Sequence, residues 1–193
     1  MRRIGLILVA LCFGFLLLGL SLKQIVSEAG AVMEASGSGE VDYYLAYPGM
    51  LPDHPFYWAK MVRDRVMLIV ERNPQKRLER LLLYADKRIG AAEVLAEGNK
   101  PELAVSTATK AEKYLEQAAA QYLKLQVTGN EVQEYGKQLE KAQRKHYELL
   151  GVIFSRVPTQ LQSTVGQVQI VTEQGWRTVR ERLGMETVEL KRL

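Results

Sequence analysis

From about Pro55 onward the apolar residues recur at alternating steps of three and four, the spacing of one face of an α-helix, and Pro, Gly and Asn punctuate the runs. The first predicted helix spans about Pro55 to Glu71, with Ala59, Val62, Val66 and Ile69 on the stripe expected to face the core and Trp58, Met67 and Val70 widening it. Asn73-Pro74 supplies a cap and a first-turn proline for a second helix reaching Glu97. Its seam is Leu78, Leu82, Ala85, Ile89, Ala92 and Ala96, and Gly98 is expected to close it in the left-handed conformation. A third helix runs from Pro101 to about Thr128 on Ala104, Ala108, Ala111, Leu115, Ala118, Tyr122 and Leu125. Asn130 caps a fourth, with Gln133 at capping-box spacing, and its seam is Val132, Tyr135, Leu139, Ala142, His146, Leu149 and Ile153. Val157-Pro158 ends it. The fifth stripe, Leu161, Val165, Val168, Thr172, Trp176, Val179 and Leu183, is weakened by Gly166 and Gly175 and needs packing to hold it.

Short links between long helices favour antiparallel neighbours, so the chain predicts an all-α antiparallel bundle of about four to five helices over residues 55–184, followed by a tail at 185–193. Each fully buried Leu or Ile on these seams contributes roughly 1.5–3 kcal/mol, enough to account for the fold without a ligand. No strand alternation competes, and no internal repeat supports a solenoid. Coiled-coil-like seams pair between chains as readily as within one, which leaves a homo-oligomer open.

The first 54 residues do not share that periodicity. Arg2 and Arg3 precede an uncharged apolar run from Ile4 to Leu22, so residues 1–26 read as a signal peptide or a single transmembrane anchor. Its length favours the anchor, while Ala29-Gly30-Ala31 offers a cleavage site. The arginines prefer the cytoplasmic side, which puts the C-terminal part outside, as a single-pass protein of the cell membrane or a secreted one. Residues 27–42, with Ser36-Gly37-Ser38-Gly39 at their centre, read as a flexible linker. The lone cysteine, Cys12, lies in the leader and its neighbour Leu11 argues against lipid attachment.

Charge narrows the function classes. The formal net charge is +4, and setting aside Arg2, Arg3, Lys23 and Glu28 with the leader brings the remainder close to neutral. Arg63, Arg65, Arg72, Lys76, Arg77, Arg80, Lys87 and Arg88 concentrate on the first two helices and read first as a solvated face, with attraction to anionic lipid or wall polymer as the alternative. No nucleic-acid-reading motif accompanies them, so nucleic acid is not an expected partner.

Residues 43–54 and the turn that follows concentrate aromatics and prolines as no other segment does. Pro48-Gly49 suits the centre of a type II turn, and Asp53 or His54 can cap the helix after Pro55. One reading makes this an extended strap whose Tyr44, Tyr47, Met50, Leu51 and Phe56 cover one end of the core. The other makes it an exposed surface for glycan or peptide, with Tyr43, Tyr44, Tyr47, Pro48, Gly49, Pro52, Asp53, Pro55 and Tyr57 as candidate binding residues. The run from Tyr43 to Pro55, followed by Lys60-Met61-Val62-Arg63-Asp64-Arg65, resembles the opening of a family of exported bacterial helical proteins of unknown function. The likeness continues through Ala85-Asp86-Lys87-Arg88 and Gly98 to Ala108, covering about residues 43–125. It implies a helical domain behind a signal peptide or single anchor and brings no reaction, ligand or catalytic residue.

Catalytic chemistry is not legible. His54 and His146 are the only histidines and no cysteine lies outside the leader, so neither a metal site nor a cofactor is expected. His146 falls on an apolar seam and reads as a partly buried, hydrogen-bonded core residue. The pairs Glu93/Glu97 and Glu112/Glu116 read as surface helix residues beside lysines. There is no nucleophile elbow and no phosphate loop. The expectation is a non-catalytic extracytoplasmic interaction module with a protein partner in the cell envelope and membrane contact through residues 4–22; the alternative is a ligand-binding sensor or an envelope-stress holdase.

Overall fold

The computed structural model describes residues 43–125 and 130–185. The leader, the linker, the Asn130 side chain proposed as a cap, the expected end of the third helix near Thr128 and the tail after Met185 lie outside the described residues. Within them there are five helices and no strand: α1 (Tyr57–Val70), α2 (Pro74–Glu97), α3 (Pro101–Lys124), α4 (Asn130–Arg156) and α5 (Thr159–Arg182).

Local chemistry fixes the corners. Asn73 Oδ1 accepts from Lys76 N at 3.0 Å and Pro74 occupies the first helical position, as the sequence predicts for the start of α2. The α2–α3 corner departs from expectation. Gly98 has an ordinary φ of −77° and Asn99 takes the left-handed turn at +55°. The amides of Asn99 and Lys100 close back on Ala96 and Leu95 carbonyls at 3.3 and 2.9 Å, a Schellman arrangement in which Asn99, tolerant of positive φ, is the C′ residue. Helix α5 is continuous through Gly166 and Gly175, because Val165, Trp176 and Val179 anchor it in the core.

The apolar core has two halves. One joins Leu78, Leu82 and Ala85 of α2 to Leu115 and Tyr122 of α3, Leu139 and Ala142 of α4 and Val179 of α5. The other joins Ile89, Ala92 and Leu95 to Ala104 and Ala108, Leu150 and Ile153, and Val165. The residue order along each helix shows that α2 and α4 run one way while α3 and α5 run the other. Close contacts link α2 with α3, α3 with α5, α5 with α4 and α4 with α2, and α3 also meets α4, whereas α2 and α5 do not meet. The bundle is therefore two antiparallel hairpins, α2/α3 and α4/α5, laid side by side with like-directed helices adjacent.

Helix α1 stands apart, making close backbone contact with α2 alone among the helices. Its expected core stripe points the wrong way: Trp58, Ala59, Val62, Val66, Ile69 and Val70 are exposed, while Asp64 and Leu68 are buried. Turning Asp64 inward places its carboxylate against the Arg88 guanidinium at 3.6 Å, with both side chains almost fully buried. Arg88, one of the cations expected on the solvated face, is thus a core residue stacked 4.3 Å from the Tyr114 ring centroid. A charge paired across the contact, rather than the greasiest stripe, sets the rotation of α1.

Candidate functional site

Between the two halves of the core lies a layer of polar side chains drawn from every element except α1. His146 of α4 is completely buried. Its Nδ1 lies 2.7 Å from Glu112 Oε1 of α3 and its Nε2 lies 3.1 Å from Asp86 Oδ1 of α2. The second oxygen of each carboxylate has its own donor: Tyr43 Oη donates to Asp86 Oδ2 at 2.7 Å, and Thr172 Oγ1 of α5 donates to Glu112 Oε2 at 2.7 Å. Four acceptors meet four donors, the pattern that makes a buried polar network tolerable.

That pairing favours the protonated His146 ring, since an imidazolium donates from both nitrogens and each faces a carboxylate oxygen. Burial alone would push its pKa down, but the Glu112 charge and the hydrogen bonds to Asp86 and Glu112 hold it up at about 9. Burial, reinforced by the neighbouring Asp86 carboxylate, pushes the Tyr43 phenol far above its ordinary value, so it stays a donor. Each carboxylate oxygen of the layer has a donor, and His146, Asp86 and Glu112 are buried away from solvent.

Two sequence expectations change here. His146 is fully buried, not partly, and Glu112 is no surface residue but a carboxylate nearly sealed in the core. Asp86 and Glu112 sit one position past the seam residues Ala85 and Ala111. The signal that could have found them was present: His146 and Thr172 lie on apolar seams, and buried polar groups require partners.

The strap splits between the two readings made of it. Tyr43 and Leu45 pack against the two halves of the core, whereas Tyr44, Tyr47, Met50 and Phe56 are exposed, so the expectation that these four cover an end of the bundle is incorrect. Tyr43 and Leu45 turn inward with Tyr44 outward between them, as in an extended segment, and Tyr47, exposed just before the Pro48-Gly49 turn, departs from that alternation. Gly49 takes φ +65°, as the third position of a type II turn requires, and Pro48 rests on Gly90 with Cδ 3.8 Å from where a Cβ would stand. Lys60 of α1 donates to the carbonyls of Pro48 and Met50 at 2.9 and 3.1 Å, and burial brings its pKa down to about 8. Asp53 does not cap α1 but pairs with Lys100 at 2.5 Å. His54 Nδ1 accepts from Phe56 N at 3.2 Å, one residue ahead of the helix, and does not cap α1, which has no side-chain cap. Pro52 is half-buried, Pro55 exposed, and Tyr57 begins α1 half-buried.

Tyr44, Tyr47 and Pro48 border a cleft of about 100 Å³ closed by Gly90, Glu93 and Val94 of α2 and Lys145 of α4. Burial and the nearby Glu97 charge push the Glu93 carboxyl up. Of the nine candidate residues, the cleft gathers Tyr43, Tyr44, Tyr47 and Pro48; Gly49, Pro52, Asp53, Pro55 and Tyr57 lie outside its lining. Among the described residues, no group of three or more His, Cys, Asp or Glu side chains is placed to hold a metal ion. No described helix is long and apolar enough to cross a membrane.

These features define an all-α helical-bundle protein with an ionised polar layer through its core and an aromatic strap along its flank. The chain belongs to the family described as a domain of unknown function (DUF5667), which it matches over residues 49–175. The match begins within the strap and extends beyond α3 through α4 and most of α5, so family membership reaches further along the chain than the resemblance read from sequence. No curated protein and no solved structure matches the chain.

Proposed function

We propose that this protein is a non-catalytic interaction module on the outer side of a cell membrane, tethered by its apolar leader, and that the tyrosine strap is the face it presents to a protein partner of the cell envelope. The observation that carries the reading is the division of labour along the strap. Tyr43 is committed to Asp86 in the core, while Tyr44 and Tyr47 are held outward beside a cleft. Tyrosines fixed by a buried neighbour lose little entropy on binding and offer a large apolar face with a polar tip.

Affinity capture from native membranes after crosslinking tests it. The full chain is expected to recover a specific envelope protein, and Tyr44→Ala with Tyr47→Ala to lose that protein while keeping the melting temperature. Recovery of nothing specific, or an unchanged set from the double variant, would overturn the reading.

A second reading, an envelope-stress holdase, is favoured by one feature: the exposed apolar face of α1, since monomeric proteins rarely leave large contiguous patches uncovered. Delay of client aggregation by the purified full chain, lost on Ile69→Glu, would support it.

A further inference from the structure

We propose that the outward face of α1, with the basic groove it forms against α3, is a docking surface for an anionic phospholipid bilayer. The inference rests on the membrane tether of the preceding section and adds which face meets the lipid. Trp58, Val62, Val66 and Ile69 form one apolar stripe on a 14-residue helix about 21 Å long, and Ile69 is 72% exposed. Nothing in the bundle needs that stripe, because α1 is held by its opposite face through Asp64 and Leu68.

Charge selects the occupant. Asp64, the only acid within α1, is turned inward against Arg88. On the outside, Arg65 lines a groove of about 460 Å³ shared with Lys110, Lys113, Tyr114 and Gln117 of α3, whose lining contains no acid. Arg65, Lys110 and Lys113 are exposed and form no ion pair with any described residue. An apolar stripe bearing a tryptophan and bordered by unpaired cations has the composition of a helix lying in the plane of a membrane interface, its ring and aliphatic side chains at the acyl boundary and its cations at the phosphates. A second copy fits less well, since a two-fold contact through this face would bring the same cations together. Connectivity also favours lipid: the apolar run ends at Leu22 and α1 begins at Tyr57, so the chain holds this face within reach of whatever bilayer the leader occupies.

The test reconstitutes the full chain in phosphatidylcholine vesicles with and without phosphatidylglycerol, and reads tryptophan quenching by brominated lipid together with flotation of the protein. Trp58→Phe supplies the blank, leaving the buried Trp176. The expected result is quenching of the Trp58 emission that is strong with phosphatidylglycerol and weak without it. Arg65→Gln, Lys110→Gln and Lys113→Gln should each lower the docked-to-undocked ratio about five-fold. These side chains are exposed, so the variants are expected to fold as the parent does. A chain that floats while Trp58 stays unquenched overturns this inference and leaves the strap reading intact. A chain that does not float overturns the tether and the inference together. Shielding of Trp58 from aqueous iodide without quenching by lipid, accompanied by crosslinks from α1 to a second copy or another protein, also overturns it and assigns the face to protein. Equal quenching with and without phosphatidylglycerol removes the basic groove from the proposal and overturns its charge selectivity.

Discussion

His146 shows how a residue that looks like a defect in an apolar seam becomes a structural centre once its partners are in place. Its folded pKa of about 9 stands above the ordinary 6.5, so the folded chain holds the proton more tightly than the unfolded one. The stabilisation, on the order of 3 kcal/mol, is complete below about pH 6.5 and is lost as the pH rises towards 9. Lys60, held down to about 8, works in the opposite sense above that pH, so the His146 contribution is the difference between the parent and His146→Gln. Urea midpoints measured from pH 6 to 9 should fall for the parent and stay flatter for the variant; parallel curves would refute the charged layer. Asp64 and Arg88 obey the same logic. Asp64→Ala strands a buried guanidinium and should cost about 3–5 kcal/mol, while Asp64→Leu combined with Arg88→Met should recover most of that loss in chemical denaturation. Gly136 is the third position of this kind. A Cβ there would meet the Tyr122 hydroxyl and would stand 2.7 Å from Leu183 Cδ2, so Gly136→Ala is expected to lower stability by about 1–3 kcal/mol. A thermal melt that does not move would show that Tyr122 can shift aside.

At the scale of elements, α2 through α5 were legible because their seams are long, regular and apolar, and their ends carry recognised punctuation such as Asn73-Pro74 and Val157-Pro158. Helix α1 was legible as a helix but not in its orientation. Periodicity ranks faces by hydrophobicity, and it has no way to weigh an ion pair with a residue 24 positions along the chain, as Asp64 has with Arg88. The strap was legible as an extended segment and not in its facing, because which of its side chains turn inward depends on which residue finds a partner in the core. Tyr43 is that residue. Tyr43→Phe removes a hydrogen bond to a carboxylate, worth roughly 1.5–3 kcal/mol, and leaves Asp86 Oδ2 without that donor. Limited proteolysis should therefore cut the strap faster in Tyr43→Phe, whereas Tyr47→Ala, a change at an exposed ring, should leave stability within about 0.5 kcal/mol of the parent. Equal cutting rates for Tyr43→Phe and the parent would mean that Leu45 and Lys60 hold the strap without it.

For the whole molecule, the polar layer separates two apolar halves, one built around Leu and Tyr and the other around Ile, Val and Ala. Alanine-lined seams slide at little cost, so a layer in which Asp86, Glu112, His146 and Thr172 must coincide gives four helices one common register. Replacing Asp86, Glu112 and His146 together by leucine is expected to leave stability unchanged or raise it, while broadening the amide spectrum as alternative registers become populated. A triple variant with sharp, singly populated resonances would show that the apolar packing sets the register unaided. The sequence by itself determined the all-α class, the helix boundaries to within a few residues and the absence of recognisable catalytic motifs, since these follow from local periodicity, capping and residue type. Tertiary structure alone decided which face of α1 turns outward, which tyrosine enters the core, and that like-directed helices lie side by side. Each of those outcomes depends on a partner far away along the chain, and pairings of that range leave no period for a sequence to display.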